Sequence, residues 1–184
     1  VMVDETYEEF APLDSKISSI PLTNNYNNLI VLRGISKFFA APGLRLGYAV
    51  TGNPDLLKYI NTKKNPWTIN SLAEIAGCIM FSDKEYIDKT RALISGERER
   101  LFKTLSSWKS VKVYPSCSNF LLVKILKENI TSEQVFDYCI RRGLMIRDCS
   151  TFPFLDSSFI RFCMMSPEKN NELLQALSEV LGEV

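Results

Sequence analysis

The sequence predicts an α/β protein in two parts, an α/β layer joined by a long helix to a smaller α+β domain. Its early apolar runs, "VMVDE", "LIVLRGI" and "LRLGYAVTG", are continuous rather than alternating, which favours mostly parallel strands covered on both faces. Residues 84–107 show Leu, Ile and Phe at helical spacing with a charged outer face. Beyond Trp108, short strand patterns alternate with helical ones. We therefore predict domains at 1–83 and 108–184, connected by the helix at 84–107.

Capping residues predict where several helices begin. Asn53 followed by Pro54 opens "NPDLLKYINTKK", and Ser166 followed by Pro167 opens the last helix. Two further helices are predicted in "INSLAEIAGCIMFS" and near "TSEQVFDYCIRRG". "VMVDE" resembles a buried strand that starts at residue 1, so we expect the chain to be a piece that lacks an N-terminal part.

Composition excludes several classes of function. Lys and Arg number 22 and Asp and Glu number 21, a net charge of +1, so no nucleic-acid or membrane-surface partner is predicted. The five cysteines form no CxxC pair and are odd in number, which indicates reduced thiols and a cytoplasmic location. Histidine is absent, which excludes a Ser-His-Asp triad and a histidine-ligated zinc site, and no metal site is predicted. Acid–base chemistry must come from other side chains or from a cofactor.

Lys37 is the first candidate for chemistry. It follows a strand pattern and precedes Phe38 and Phe39, so we expect its ammonium to be desolvated and its neutral amine to act as a nucleophile. The alternative is an ordinary surface lysine on a loop.

Three more residues carry groups that such a lysine would need nearby. Arg45 stands between leucines and glycines and needs an anion, either a phosphate or an internal carboxylate. Asp4 ends the first apolar run, where a carboxylate requires a cation or serves as a helix cap. Tyr7 offers a phenol at the same strand end or packs in the core. Together with Lys37, these groups match the carbonyl, phosphate, ring nitrogen and ring oxygen of pyridoxal 5′-phosphate.

The motifs "DETY", "SK" and "GLRLGY" resemble the signature of the class I/II aminotransferases, the fold-type I pyridoxal-phosphate enzymes. The resemblance spans essentially the whole chain. It implies that residues 1–83 are the C-terminal part of the cofactor-binding large domain. It also implies that Lys37 is the Schiff-base lysine, that Asp4 pairs with the ring nitrogen, and that Tyr7 binds the ring oxygen. Ser36 and Arg45 would bind the cofactor phosphate.

The resemblance also implies substrate-binding residues in the C-terminal domain. Arg161 in "FIRFCMM" corresponds to the arginine that binds the substrate carboxylate, and Asn119 in "SNFLL" to a position near the active site. Arg147 in "MIRDC" is a candidate for a substrate phosphate. "KFFAAPGLRLGY" and "NPWTIN" favour the threonine-phosphate decarboxylases of cobalamin synthesis over the similar histidinol-phosphate aminotransferases. Both branches act on a phosphate-bearing amino acid or amine.

Two departures from the family pattern affect the predicted cofactor site. The residue three positions before the lysine is usually Ser or Thr, and here it is Gly34. The family's N-terminal half, which supplies a glycine-rich phosphate turn and a ring-stacking aromatic, has no counterpart in the chain. We therefore expect this piece alone to bind cofactor poorly and to be inactive. The resemblance implies that the whole protein is a homodimer. A non-catalytic fragment or a regulator on the same fold is the alternative.

Overall fold

The computed structural model describes residues 1–183, except for the side chain of Asp14, and all that follows refers to those residues. It contains two compact units, Val1–Thr90 and Arg91–Val184, called here the first and second unit. The predicted domain bounds and the connecting role of the helix at 84–107 stay predictions.

The first unit contains a three-stranded sheet in the order β1-β2-β3. Its strands are β1 (Met2–Asp4), β2 (Ile30–Gly34) and β3 (Gly47–Val50). β1 runs parallel to β2, with Asp4 opposite Leu32.

The prediction of a mostly parallel sheet is wrong for β3, which is antiparallel to β2 with Gly34 opposite Gly47. The connection between β2 and β3 explains the direction. A parallel return needs a long crossover, usually a helix. This connection contains only a short 3-10 turn, Pro42–Leu44, so the chain reverses beside β2.

Burial in this sheet is concentrated in its centre. Val31 of β2 is completely buried, whereas Met2 of β1 is 69% exposed and Tyr48 of β3 is 41% exposed. The expectation that all three strands are covered on both faces is therefore wrong for β1 and β3, the two edge strands.

Three helices follow the sheet: α1 (Pro54–Lys63), α2 (Ser71–Ser82) and α3 (Lys84–Ser106). The predicted cap at α1 is confirmed, because Asn53 Oδ1 accepts hydrogen bonds from the Asp55 and Leu56 amides, each at 3.0 Å. Asn70 caps α2 in the same way through the Ala73 amide at 2.8 Å. Short 3-10 turns connect the remaining segments: Glu8–Phe10, Leu13–Ser15 and Ile20–Asn24.

The second unit is a small α+β structure with a four-stranded antiparallel sheet in the order β4-β5-β7-β6. Its elements are β4 (Val111–Val113), β5 (Phe120–Ile125), α4 (Ser132–Ile140), β6 (Arg147–Asp148), β7 (Phe159–Cys163) and α5 (Pro167–Leu181). Alternate residues of β5 and β7 point into a core that also receives the apolar face of α5.

The helix ends of the second unit follow the sequence signals. Ser166 caps α5, as predicted, by accepting from the Lys169 amide. α5 ends at Gly182, whose φ of 68° is the left-handed conformation that glycine adopts without strain. Thr131 and Gln134 form a complete capping box on α4. No helix in residues 1–183 has the length and apolar character needed to cross a bilayer.

Candidate active site

A cavity of about 440 Å³ opens beside the first unit's sheet. Asp4, Ser36 and Arg45, three of the predicted cofactor ligands, line it together. The other lining residues come from β2, β3 and the segments next to them: Thr6, Leu32, Arg33, Gly34, Leu46, Gly47, Tyr48 and Ala49. The three predicted ligands thus contribute a carboxylate, a hydroxyl and a guanidinium to the same space.

Local structure places two of these groups. Asp4 ends β1, and its Oδ1 accepts a hydrogen bond from the Thr6 amide at 2.9 Å, which fixes the carboxylate at the strand end. Its side chain is exposed, so the expectation of a buried carboxylate is wrong. Arg45 is a left-handed residue with φ 54°, and its Nη1 donates to the Pro42 carbonyl at 2.8 Å.

Two glycines leave part of the cavity wall without side chains. A Cβ on Gly47 would lie 2.9 Å from the backbone oxygen of Arg33, which is closer than real contacts allow. A Cβ on Gly34 would lie 3.4 Å from the Leu46 oxygen, an ordinary contact. Glycine is therefore required at position 47, whereas position 34 has room for the hydroxyl residue that the family pattern usually has there.

Lys37 does not have the environment that the sequence suggested. Phe38 and Phe39 are 2% and 9% exposed, but the Lys37 side chain is exposed, so the expectation that the two rings desolvate the ammonium is wrong. The rings instead pack inward, where the Phe38 centroid lies 5.2 Å from that of Phe10. Successive side chains of a turn point in different directions, which leaves the lysine outside when the rings are inside.

Lys37 and Tyr7 lie next to each other, outside the lining of the cavity. The Lys37 Nζ is 5.7 Å from the centroid of the Tyr7 ring. The five predicted cofactor residues therefore form two neighbouring groups. Lys37 is joined to the cavity through Ser36, which precedes it in the chain.

The sequence did not indicate the ionic cluster beside this cavity. Arg33 reaches Glu5 and Glu8 at 2.9 Å and Glu9 at 3.3 Å, and we call these four residues the Arg33 cluster. Burial alone would raise the pKa of Glu5, but hydrogen bonds from the Ser19 amide, Arg33 and the Ser18 hydroxyl lower it. In the sequence, Arg33 stands within an apolar run, and no neighbouring residue indicates that glutamates are its partners.

A second cavity, of about 560 Å³, lies in the second unit. Arg147 of β6 and Arg161 of β7 line it and are register partners directly opposite each other. Within residues 1–183, neither guanidinium forms an ion pair with a carboxylate. Two adjacent cations that form no ion pair favour binding of anions, and Asp148 is the one carboxylate among the lining residues of this cavity.

Two phenylalanines that the sequence analysis missed hold these arginines. The Phe152 centroid lies 5.3 Å from Arg147 Cζ and 5.8 Å from Arg161 Cζ. Phe120 lies 4.8 Å from Arg161 Cζ. These are cation–π distances, so the rings restrict where the guanidinium groups can point. The aromatic residues of "TFPF", close after Arg147, are the only sequence signal of this arrangement.

Neighbouring groups further support Arg147. Its Nη2 donates to the Thr151 hydroxyl at 3.3 Å. The adjacent Asp148 accepts from the Ser132 hydroxyl at 2.7 Å and from the Ser150 amide at 2.8 Å. Burial alone would raise the pKa of Asp148, but these hydrogen bonds lower it. The carboxylate is thus hydrogen-bonded by hydroxyl and amide donors, while Arg147 attracts it without forming an ion pair.

Asn119 lies outside the lining of this cavity. Its carbonyl accepts from the Met164 amide at 2.8 Å and its Oδ1 contacts the Ser118 hydroxyl at 3.4 Å. The observed contacts of Asn119 join β5 to the segment after β7. All five cysteines are free thiols, as predicted.

The profile of the aminotransferase class I and II family matches residues 1–177, and the chain belongs to this family. Enzymes of the family use pyridoxal 5′-phosphate.

The chain is similar to enzymes of two activities. It is 38% identical over 181 residues to the histidinol-phosphate aminotransferase of Thermoanaerobacter pseudethanolicus, covering 98% of this chain and 48% of the relative. It is 31% identical over 181 residues to the threonine-phosphate decarboxylase of Salmonella typhimurium, again covering 98% and 48%. The crystal structure of the histidinol-phosphate aminotransferase from Clostridium acetobutylicum matches with a TM-score of 0.91 and 34% identity, over 100% of this chain and 54% of that one. The chain thus spans about half the length of the curated relatives it matches.

Proposed function

We propose that the complete protein carrying this chain is a pyridoxal-phosphate enzyme that acts on a phosphate-bearing amino acid or amine. The observation that carries the proposal is the shared cavity of Asp4, Ser36 and Arg45 beside Lys37. Its donor set fits the cofactor, because a carboxylate suits a protonated ring nitrogen while a hydroxyl and a guanidinium suit a phosphate. The bare wall at Gly34 and Gly47 lets the backbone approach a ligand closely.

Each residue has a role in this proposal. Asp4 would keep the ring nitrogen protonated, and Ser36 and Arg45 would bind the phosphate. Tyr7 would donate to the ring oxygen, and Lys37 would anchor the cofactor through its amine. When bound, the cofactor supplies an electron sink for the bond that breaks at the substrate Cα. The exposed Lys37 amine can then carry a proton to or from that carbon.

The second unit's cavity supplies the proposed substrate contacts. Arg161 binds a carboxylate in a bidentate pair, and Arg147 binds a phosphate. Phe152 keeps the two guanidinium groups apart and oriented, so that a substrate with two anionic ends is held at both. The resemblance alone supports a role for Asn119 near the site.

The activity we propose first is decarboxylation of L-threonine O-3-phosphate. This substrate carries both a carboxylate and a phosphate, which matches two arginines without carboxylate partners. Arg161 would orient the carboxylate, carbon dioxide would leave, and a proton would be added to the same carbon. The 31% identity to the Salmonella typhimurium decarboxylase supports this choice. Family resemblance alone supports the remaining parts of the proposal, a cytoplasmic homodimer in cobalamin biosynthesis.

A second candidate is aminotransfer from histidinol phosphate. The 38% identity to the Thermoanaerobacter pseudethanolicus aminotransferase and the TM-score of 0.91 to the Clostridium acetobutylicum enzyme favour it. Histidinol phosphate has one anionic group, so the second arginine would serve the dicarboxylate that accepts the amino group.

Product analysis of the complete protein tests the proposal and separates the candidates. One reaction contains threonine phosphate, and the other contains histidinol phosphate with 2-oxoglutarate, both with added cofactor. Carbon dioxide and aminopropanol phosphate from the first reaction support the decarboxylase, and glutamate from the second supports the aminotransferase. A protein that converts neither substrate, or a Lys37→Ala variant that retains turnover, would contradict the enzymatic proposal.

A further inference from the structure

The Arg33 cluster is a concentrated set of charges in the first unit. The side chain of Arg33 is 13% exposed, and those of Glu5, Glu8 and Glu9 are 7%, 22% and 13% exposed. Arg33 Nε and Nη2 both donate to Glu5 Oε2, at 3.2 and 2.9 Å, and Nη2 also donates to the Ser18 hydroxyl at 2.9 Å. One guanidinium therefore contacts three carboxylates and a hydroxyl in a largely buried setting.

The three glutamates lie on both sides of Tyr7 in the chain. Glu5 comes directly after β1, and Glu8 begins the short turn that follows Tyr7. Arg33 belongs to β2, the strand that leads to Lys37. A single guanidinium thus connects both flanks of Tyr7 to the strand that carries the lysine.

Backbone pairing between the two strands ends before Tyr7. The β1–β2 register reaches Asp4 and Leu32, and the Glu5 amide adds one bond to the Leu32 carbonyl at 2.9 Å. Tyr7 lies beyond this point, and its ring is 5.7 Å from the Lys37 Nζ. The turn around Tyr7 is held locally by backbone bonds from the Glu8 amide to the Glu5 carbonyl at 3.1 Å and from the Phe10 amide to the Tyr7 carbonyl at 3.2 Å. Its placement beside β2 depends on side-chain contacts, among which the Arg33 ion pairs are the strongest type.

The charge balance of the cluster explains why a guanidinium is needed. One cation faces three anions, so its removal would leave three carboxylates that repel one another in a poorly solvated space. The planar fork of arginine donates in several directions at once, which a lysine ammonium does only in part. Loss of Arg33 should therefore displace residues 5–9 from β2.

We propose that Arg33 is a positioning residue that sets the Tyr7 phenol relative to the Lys37 amine. It does so through its ion pairs with Glu5, Glu8 and Glu9, and it also lines the cavity of Asp4, Ser36 and Arg45. This inference rests on the proposed function, because that function places Tyr7 and Lys37 at the cofactor. A purely structural role, in which Arg33 only stabilises the first unit, is the alternative to be separated.

The test uses the complete protein and the variants Arg33→Gln, Arg33→Lys and Tyr7→Phe. Arg100→Gln is the matched control, because Arg100 forms a two-point pair with Glu97 in the second unit, at 3.0 and 2.7 Å. The main readout is the pH midpoint of the visible absorbance band of the bound cofactor, which responds to a hydrogen bond at the ring oxygen. Thermal unfolding of the cofactor-free protein reports stability separately.

We expect Tyr7→Phe and Arg33→Gln to move the absorbance midpoint in the same direction, by roughly one pH unit, because a hydrogen bond to the charged form of a group favours that form. Arg33→Lys should restore part of the shift, and Arg100→Gln should leave the midpoint in place even if it lowers the melting temperature. If Arg33→Gln fails to fold, Arg33→Lys decides the question through the same midpoint.

One result would overturn the positioning role and leave the proposed function intact. In that result, Tyr7→Phe shifts the absorbance midpoint, whereas Arg33→Lys and folded Arg33→Gln keep the wild-type midpoint. The proposed function itself is checked by borohydride reduction of the cofactor-treated wild-type protein. Absence of a label on Lys37 would overturn both.

Discussion

The two cavities are built in different ways. The second unit places Arg147 and Arg161 on paired strands over a packed core, in which Leu121 and Ile160 are completely buried. The first unit places its polar groups at strand ends and in loops. In its helix α2, Leu72 and Ile75 are 73% and 60% exposed. Most of the buried apolar residues of the described chain belong to the second unit.

Among the described residues, the second cavity lies on a larger buried apolar core than the first, which is bordered by the Arg33 ion pairs. In the second unit the sheet register fixes the two arginines, and aromatic rings orient them. In the first unit the Arg33 cluster and two wall glycines arrange residues that lie on loops and strand ends. Substitutions should therefore affect the two sites separately.

The largest expected effect comes from breaking the second cavity. Arg161→Gln should lower kcat/KM by roughly a hundredfold, because a charge-assisted bidentate pair with the substrate is lost. Cofactor affinity should not change, since the proposed cofactor ligands belong to the first unit. Steady-state kinetics and cofactor titration of the complete protein measure both quantities. Arg142→Gln, which removes an exposed ion pair, is the control and should stay within about twofold. Equal losses of kcat/KM in Arg161→Gln and Arg142→Gln would contradict the proposed substrate contact of Arg161.

The glycines of the first cavity give the next largest effect. Gly47→Ala should destabilise the protein by about 1–3 kcal/mol, because its Cβ would lie 2.9 Å from the Arg33 backbone oxygen. Gly34→Ser should fold normally and bind the cofactor about threefold to tenfold more tightly, the value of one added hydrogen bond. Thermal unfolding and cofactor titration compare the two. A destabilised Gly34→Ser variant would contradict the space for a side chain at position 34. A stable Gly47→Ala variant would contradict the close backbone approach at position 47.

A smaller change tests the packed core directly. Ile160→Val should lower the free energy of unfolding by about 1 kcal/mol, because Ile160 is completely buried and one methylene is lost. Ile75→Val is the matched substitution on the exposed face of α2 and should change stability by less than about 0.5 kcal/mol. Hydrogen exchange of amides in β7 and in α2 measures each unit by itself. Similar losses of unfolding free energy in the two variants would contradict the difference in packing between the two units.

The smallest effect is a loss of stability in acid that comes from Glu5. Its pKa is lowered from 4.5, because hydrogen bonds from Ser19, Arg33 and Ser18 outweigh the effect of burial. A lowered folded pKa means that this contribution is present above about pH 4.5 and is lost as the pH falls through the folded value. Glu5→Gln should therefore flatten the acid side of the stability profile, measured by urea unfolding. An unchanged profile would show that Glu5 contributes nothing there.

Helix ends and strand positions could be predicted because their signals are local. Asn53, Asn70 and Ser166 each precede a helix and accept its first free amides, which depends on residues two or three positions away. The direction of β3 could not be predicted from its apolar run, because parallel and antiparallel partners use the same residues. The crossover, rather than the strand, decides it.

The candidate site shows the same limit. The residue types of Asp4 and Arg45 and the family resemblance for Ser36 predicted a common site, and these three residues share a cavity. Exposure of Lys37 was not predicted, because the turn sends Phe38 and Phe39 inward and the lysine outward. Arg33 was missed for a related reason, since its partners at positions 5 to 9 become neighbours only when β1 pairs with β2.

The central claim is that Lys37 anchors pyridoxal 5′-phosphate in the complete protein. The direct measurement is to add the cofactor, reduce with borohydride, digest the protein and locate the pyridoxyl group by mass spectrometry. Lys58, an exposed lysine of α1 in the same unit, is the internal control. We expect a label on Lys37, little on Lys58, and none at position 37 in a Lys37→Arg variant. No label on Lys37, or equal labelling of the two lysines, would contradict it.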